Sequence, residues 1–214
     1  MYQKFFKRII DIFVALVVFI VLSPIIIVTS IALLFLNNGK IFFTQNRVGE
    51  KSKIFKLYKF KSMNDRRGKD GVLLRDLERL TSFGKFIRKS SIDELPQLFN
   101  ILKGDMSVIG PRPLLPEYLP FYTVDHAKRH DIKPGITGLA QVNGRNGLMF
   151  SERFNLDVKY VSNVRFFSDI KILIMTFFKF FQKSEIKLGR PMSEIDDIGI
   201  TQGLTKNYFN PEKK

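Results

Sequence analysis

The chain has 214 residues, with 35 Lys+Arg against 20 Asp+Glu and a formal charge of +15. That surplus suits a polyanionic partner: nucleic acid, acidic lipid or a phosphorylated substrate. With no cysteine and two histidines, disulfides and thiolate metal sites are excluded and a zinc centre is disfavoured, while the length suffices for one domain with a real core.

Lys4, Lys7, Arg8 and Asp11 open the chain, and residues 12–36 then carry no charge. Three readings compete for that run: a spanning helix, a signal peptide, and a helix that enters a membrane and turns back. The run is too long for a signal peptide and lacks a small-x-small cleavage site. A single span has the right length, but Pro24 stands at its midpoint and removes a backbone hydrogen bond. Each half, at about 1.5 Å per residue, falls short of a core of about 30 Å. Ser23 can supply the hydrogen bonding that a broken helix needs. Basic residues flank both ends (Lys4, Lys7 and Arg8 before, Lys40, Arg47, Lys51, Lys53 and Lys56 after), which keeps both ends on the cytoplasmic side. The re-entrant reading is therefore favoured.

Residues 40–63 predict a β-hairpin around Val48-Gly49-Glu50, with Phe55, Leu57 and Lys59 on one face of the second strand and Lys56, Tyr58 and Phe60 on the other. Lysines among aromatics can bind single-stranded nucleic acid, yet a membrane segment in the same chain argues against it. Residues 64–76 are polar and predict an exposed loop; residues 77–89 predict a helix that brings Arg88 and Lys89 close before Asp93.

The densest stretch follows. Apolar residues at 95, 98, 99, 101 and 102 mark a helical stripe stopped by Gly104. Ser91 and Glu94 fit a capping box, but that start strands Pro96 inside the helix. A start at Asp93 puts Pro96 in the first turn and makes Asp93 the N-cap, within the positive end of the helix dipole. The adjacent carboxylates of Asp93 and Glu94 also fit plain end decoration. Pro111-Arg112-Pro113 frames an arginine in an extended turn, and residues 114–122 predict a surface-lying segment. Residues 133–138 form a glycine-rich turn without the Lys-Ser/Thr ending of a P-loop, and Arg145 lies on another turn. Arginines at 88, 112 and 145 near one carboxylate pair suggest phosphate binding. Asp157 fits this set or a salt bridge equally well. Residues 166–181 are too short and too charged to span; they fit a helix in the headgroup region or a buried core helix. Residues 193–214 are polar, and loose attachment is expected.

The motifs YKFKSM, DELPQLFNILKGDMSVIGPRPL and KPGITGLAQVNGR, in this order, resemble the bacterial sugar transferase family, the monotopic phosphoglycosyl transferases. The resemblance covers residues 1 to about 183 and is strongest to the small stand-alone form that initiates protein N-glycosylation or surface-glycan assembly. It implies an α+β, predominantly helical fold: a re-entrant membrane segment (1–39, broken at Ser23-Pro24), a cytosol-facing catalytic domain (40–183) with a small hairpin and amphipathic interfacial helices, and a loosely ordered tail (184–214). It implies Mg²⁺, a UDP-sugar donor and a polyprenyl phosphate acceptor at the bacterial inner membrane, with membrane lipid as a partner and no nucleic acid; a homodimer is left open. Asp93 is implied as nucleophile, Asp93 and Glu94 as the metal-holding dyad, and Lys59, Arg88, Arg112, Arg145 and Asp157 as the substrate-binding set. Leu139 departs from the family's usual Trp, and Lys159 from its usual Tyr. The competing reading is a non-enzymatic basic protein that binds anionic lipid, which leaves the Arg-Pro frame and the Asp-Glu pair without a purpose.

Overall fold

The computed structural model describes residues 2–144, 147–181 and 195–200. A π-helical turn, Tyr2–Phe6, leads into α1 (Lys7–Val21) and α2 (Ser23–Leu36); strands β1 (Phe42–Val48) and β2 (Ile54–Phe60) pair as the expected hairpin. Helices α3 (Asp76–Arg79), α4 (Ser82–Lys89) and α5 (Gln97–Lys103), strand β3 (Ser107–Ile109) and helix α6 (Val124–Ala127) follow. Strand β4 (Gly135–Thr137) and helices α7 (Leu139–Asn143), α8 (Phe150–Val161) and α9 (Phe166–Phe181) complete a predominantly helical chain. The described residues form two compact units, one of residues 12–45 and 56–103, the other of the remainder.

The first unit holds the apolar helix pair. Pro24 has no N–H for the carbonyl of Ile20, four residues back. Ser23 substitutes for it, its Oγ donating to Ile20 O at 2.7 Å. The ladder resumes on both sides, with Leu22 N bonded to Val18 O and Ile26 N to Leu22 O, each at 2.9 Å. The two helices are bent by 63°, and neither alone is long and apolar enough to cross a membrane. Phe13, Ile20, Val21, Val28 and Phe35 stand exposed, whereas Leu33 packs with Phe60 and Ile87 in the unit's core, beside Ile26, Phe83, Ile92 and Leu95.

One expectation fails here for a local reason. The helix expected over 77–89 is interrupted, because Thr81 accepts a hydrogen bond from Gly84 N at 2.9 Å and starts α4 afresh. The expected two-faced alternation of β2 puts Leu57 and Phe60 on opposite faces, and both are buried, so that both faces of the strand are covered. Asn100, fully buried, ties α5 to that strand, its Nδ2 donating to Lys56 O at 2.7 Å and its Oδ1 accepting from Tyr58 N at 3.0 Å.

In the second unit, β3 and β4 pair in parallel, Ser107 opposite Gly135 and Ile109 opposite Thr137. The glycine-rich stretch expected to be only a turn is thus partly a strand. Its glycines serve a close approach: a Cβ on Gly135 would lie 2.1 Å from Gly110 N, and one on Gly138 2.2 Å from Gly110 O. One core cluster gathers Ile109, Ile132, Val142, Tyr160 and Ile172; a second gathers Leu114, Tyr118, Phe150, Phe154 and Ile200. Tyr118 therefore anchors the segment expected to lie on the surface. Asp169 of α9 is buried and receives Lys7 Nζ, Tyr2 OH and Tyr160 OH, each at 2.7 Å. The same helix buries Ile172 and exposes Phe167, Phe177 and Phe178. Of the residues expected to be a loose tail, 195–200 are described; Ile195 and Ile200 are buried, and Asp197 accepts from Ser151 N at 3.1 Å.

Asn100→Leu keeps the bulk but leaves two strand groups without their partner, at about 1–3 kcal/mol each. Thermal melting in detergent should show a destabilisation of about 2–6 kcal/mol; an unchanged midpoint would show that Asn100 does not tie α5 to β2.

Candidate active site

The carboxylate pair is placed by the way α4 ends. Ser90 is the last near-helical residue, and Ser91 takes φ +56°, the left-handed conformation that usually falls to glycine at this position. Holding serine there costs on the order of 1 kcal/mol. The chain then winds into a 3₁₀ turn, Ile92–Glu94, and α5 begins only at Gln97. Bonds from Glu94 N to Ser91 O, Leu95 N to Ile92 O, Leu98 N to Leu95 O and Phe99 N to Pro96 O carry one i→i+3 ladder past Pro96. Asp93 is therefore not the N-cap of α5, and the helix-dipole argument for its charge lapses. The helix stops as expected, with Gly104 at φ +95°.

Lys59, near the end of β2, meets the turn. Its Nζ lies 2.7 Å from Glu94 Oε1 and 3.8 Å from Asp93 Oδ2. Asp93 is buried, at 8% exposure, while Glu94 and Lys59 are half-buried. Successive residues of a 3₁₀ turn diverge by about 120°, yet one ammonium lies beside both carboxylates. Arg88, on the last turn of α4, is exposed and held at one point, Nε donating to Ser62 Oγ at 2.8 Å. The helix rests closely on that segment: a Cβ at Gly84 would fall 1.9 Å from Ser62 O.

Among the described residues no group of three or more His, Cys, Asp or Glu could hold a metal. That does not exclude Mg²⁺, which takes one or two carboxylates and completes its shell with water and substrate phosphates. Asp93 and Glu94 fit that donor set.

Arg112 belongs to the other unit. Its side chain is exposed between two buried prolines, Pro111 and Pro113. Beneath it lies a residue the sequence did not single out. Arg129 is 2% exposed; its Nε and Nη2 donate to Asp157 Oδ2 at 3.2 and 2.6 Å, and its Nη1 to Tyr122 OH at 3.1 Å. Nη2 also donates to Arg112 O at 2.9 Å. Asp157, 1% exposed, is thus paired with Arg129, the salt bridge that the sequence left open beside a place in the substrate-binding set. Burial pushes the Asp157 carboxyl up while Arg129 pulls it down. Burial, with the Arg129 charge second, holds the neighbouring His130 imidazole down at about 4, so it is neutral near pH 7. The cavity beside this turn, lined by Gly49, Arg112, Arg129 and His130 among others, measures about 10 Å³, room for one water and not for a substrate. Arg145 lies outside the described residues.

Comparison with known proteins bears on the family. A family model described as bacterial sugar transferase matches residues 2–183. The chain is 53% identical over 171 residues to EpsL of Bacillus subtilis, an uncharacterized sugar transferase, covering 79% of this chain and 84% of that one. It is 39% identical over 186 residues to the UDP-glucose:undecaprenyl-phosphate glucose-1-phosphate transferase of Klebsiella pneumoniae, and 40% identical over 197 residues to the undecaprenyl-phosphate galactose phosphotransferase of Salmonella typhimurium. These matches cover 82% and 81% of this chain but only 40% of either relative. A match that runs from the first described residues through α9, joined to the identity with EpsL, makes this chain a member of the bacterial sugar transferase family.

Proposed function

We propose that the chain transfers a sugar 1-phosphate from a UDP-sugar to polyprenyl phosphate, releasing UMP. The observation that carries this reading is the Asp93-Glu94 pair, set in a strained turn with Lys59 between the carboxylates. A buried acid with a half-buried acid next to it and one lysine between them is costly as decoration and useful as a nucleophile site. Two relatives, both named as undecaprenyl-phosphate sugar transferases, supply the substrate class.

The reaction balances without any redox partner. An Asp93 carboxylate oxygen attacks the phosphorus that bears the sugar; the new O–P bond forms as the bond to the bridging oxygen breaks, and UMP leaves with that oxygen. A phosphate oxygen of the polyprenyl acceptor then attacks the same phosphorus, Asp93 departs as carboxylate, and a polyprenyl diphosphosugar results. Glu94 and Lys59 hold the nucleophile oriented and exclude a second, unneutralised carboxylate from the donor's path. Arg112 binds a donor phosphate; its support is its own display, exposed on a turn with buried prolines on both sides. Mg²⁺ held by Asp93 and Glu94 would supply positive charge to the diphosphate.

The acceptor's tail is insoluble in water, and the chain carries two features suited to a bilayer. One is the helix pair bent at Ser23-Pro24, read as re-entrant with both ends on the cytoplasmic face; the other is α9 with its exposed phenylalanines, read as lying at the interface. Both serve to bring a lipid and a soluble nucleotide sugar to one surface of the inner membrane.

Asp93→Asn is the informative change, because it keeps size and hydrogen bonding and removes the nucleophile. With donor labelled in the β-phosphate and no acceptor, wild type should retain label and the variant none, with turnover reduced at least a thousandfold, about 4 kcal/mol of barrier. Label on Asp93→Asn would end the assignment. For the topology, Ser23-Pro24→Leu-Ala should straighten the pair and carry the N-terminus across the bilayer. A single cysteine at position 3 should react from the cytoplasmic side in the parent and from the opposite side in that variant; labelling of the parent from the periplasmic side alone would refute the re-entrant reading.

A further inference from the structure

Prolines offer no backbone donor, so the turn that displays Arg112 can be fastened chiefly through its carbonyls. Every one of them is taken. Pro111 O accepts from Gly135 N at 3.0 Å, Arg112 O from Arg129 Nη2 at 2.9 Å, and Pro113 O from Arg47 Nη1 at 3.4 Å. Leu114 O, next in line, accepts from Val48 N at 3.0 Å.

We propose that Arg129 is a positioning residue for Arg112, acting through that main-chain carbonyl; the inference rests on Arg112 being a phosphate ligand. At 2% exposure Arg129 cannot reach a substrate itself. Its guanidinium is oriented from several sides: Asp157 fixes one edge, Tyr122 OH another, and the rings of Phe154 and Tyr122 stand 5.0 and 5.7 Å from its central carbon. What remains is aimed at Arg112 O. As a stabiliser this arrangement is poor value, since apolar side chains of equal volume commonly do as well as a buried ion pair. As a ruler it is apt. The bond fixes the plane of the Arg112–Pro113 peptide and hence the direction in which the Arg112 side chain leaves the backbone. A displacement of about 1 Å in a positioned group can cost on the order of a hundredfold in rate.

A double-substitution cycle on the full-length protein in detergent tests this, with inorganic pyrophosphate as the probe and calorimetry as the readout. Arg112→Lys should weaken pyrophosphate binding about tenfold, by loss of the planar fork. Arg129→Lys should weaken it about three- to tenfold in the wild-type background, yet less than twofold when Arg112 is already lysine. A merely structural role predicts the same factor in both backgrounds, and that result, or no effect of Arg129→Lys at all, overturns the inference. If melting shows that Arg129→Lys does not fold, Tyr122→Phe takes its place in the cycle and is judged by the same criterion. Pyrophosphate that binds wild type and Arg112→Lys equally, or does not bind wild type, would instead refute Arg112 as the phosphate ligand.

Discussion

The chain's handling of proline governs both halves of the structure. Where Pro111 and Pro113 leave a turn without donors, a buried guanidinium and three other N–H groups grip the carbonyls instead. Where Pro24 orphans the carbonyl of Ile20, the hydroxyl of the preceding serine covers it. Where Pro96 omits one rung, the chain runs an i→i+3 ladder around the gap and delays the α-helix to Gln97. Each proline buys a fixed direction of chain, and each time a specific polar group satisfies what the proline cannot.

The same economy shapes the electrostatics. A charge of +15 would favour an open, repelling chain, yet the described acids are used with care. Asp169 collects one lysine and two tyrosine hydroxyls, Asp157 holds Arg129, and Asp93 and Glu94 share Lys59. Of these, the shared pair alone sits beside a backbone residue in the left-handed region. Backbone strain and a shared ion pair coincide there.

Much of this was legible in the sequence because it is written locally. The hairpin, the break at Ser23-Pro24 and the stop at Gly104 each rest on neighbours within a few residues. What was not legible depends on partners far along the chain. Asp157 is read correctly only once Arg129, 28 residues earlier, is known to face it. Strands β3 and β4 are three residues each, too short for any period to show, and their parallel pairing joins segments separated by three short helical turns and their loops. The start of α5 was misjudged because a left-handed serine gives no signal in composition; only the geometry after α4 reveals it. Ile200 looked like part of a loose tail because its pocket, between Phe150, Phe154 and Tyr118, is assembled from elsewhere.

The contact between β3 and β4 also bears on how freely this part of the chain can vary. A side chain at Gly135 would strike the backbone nitrogen of Gly110, one at Gly138 the oxygen of that same residue, and one at Gly110 the carbonyl of Lys133 at 2.4 Å. None of these obstacles is a side chain that could swing aside, so no second substitution nearby can compensate for the first. The three positions amount to one steric condition distributed over two segments. In a saturation library they should behave as a block that tolerates nothing but glycine, while the exposed arginine between the prolines, two residues from Gly110, should tolerate replacement in expression and folding.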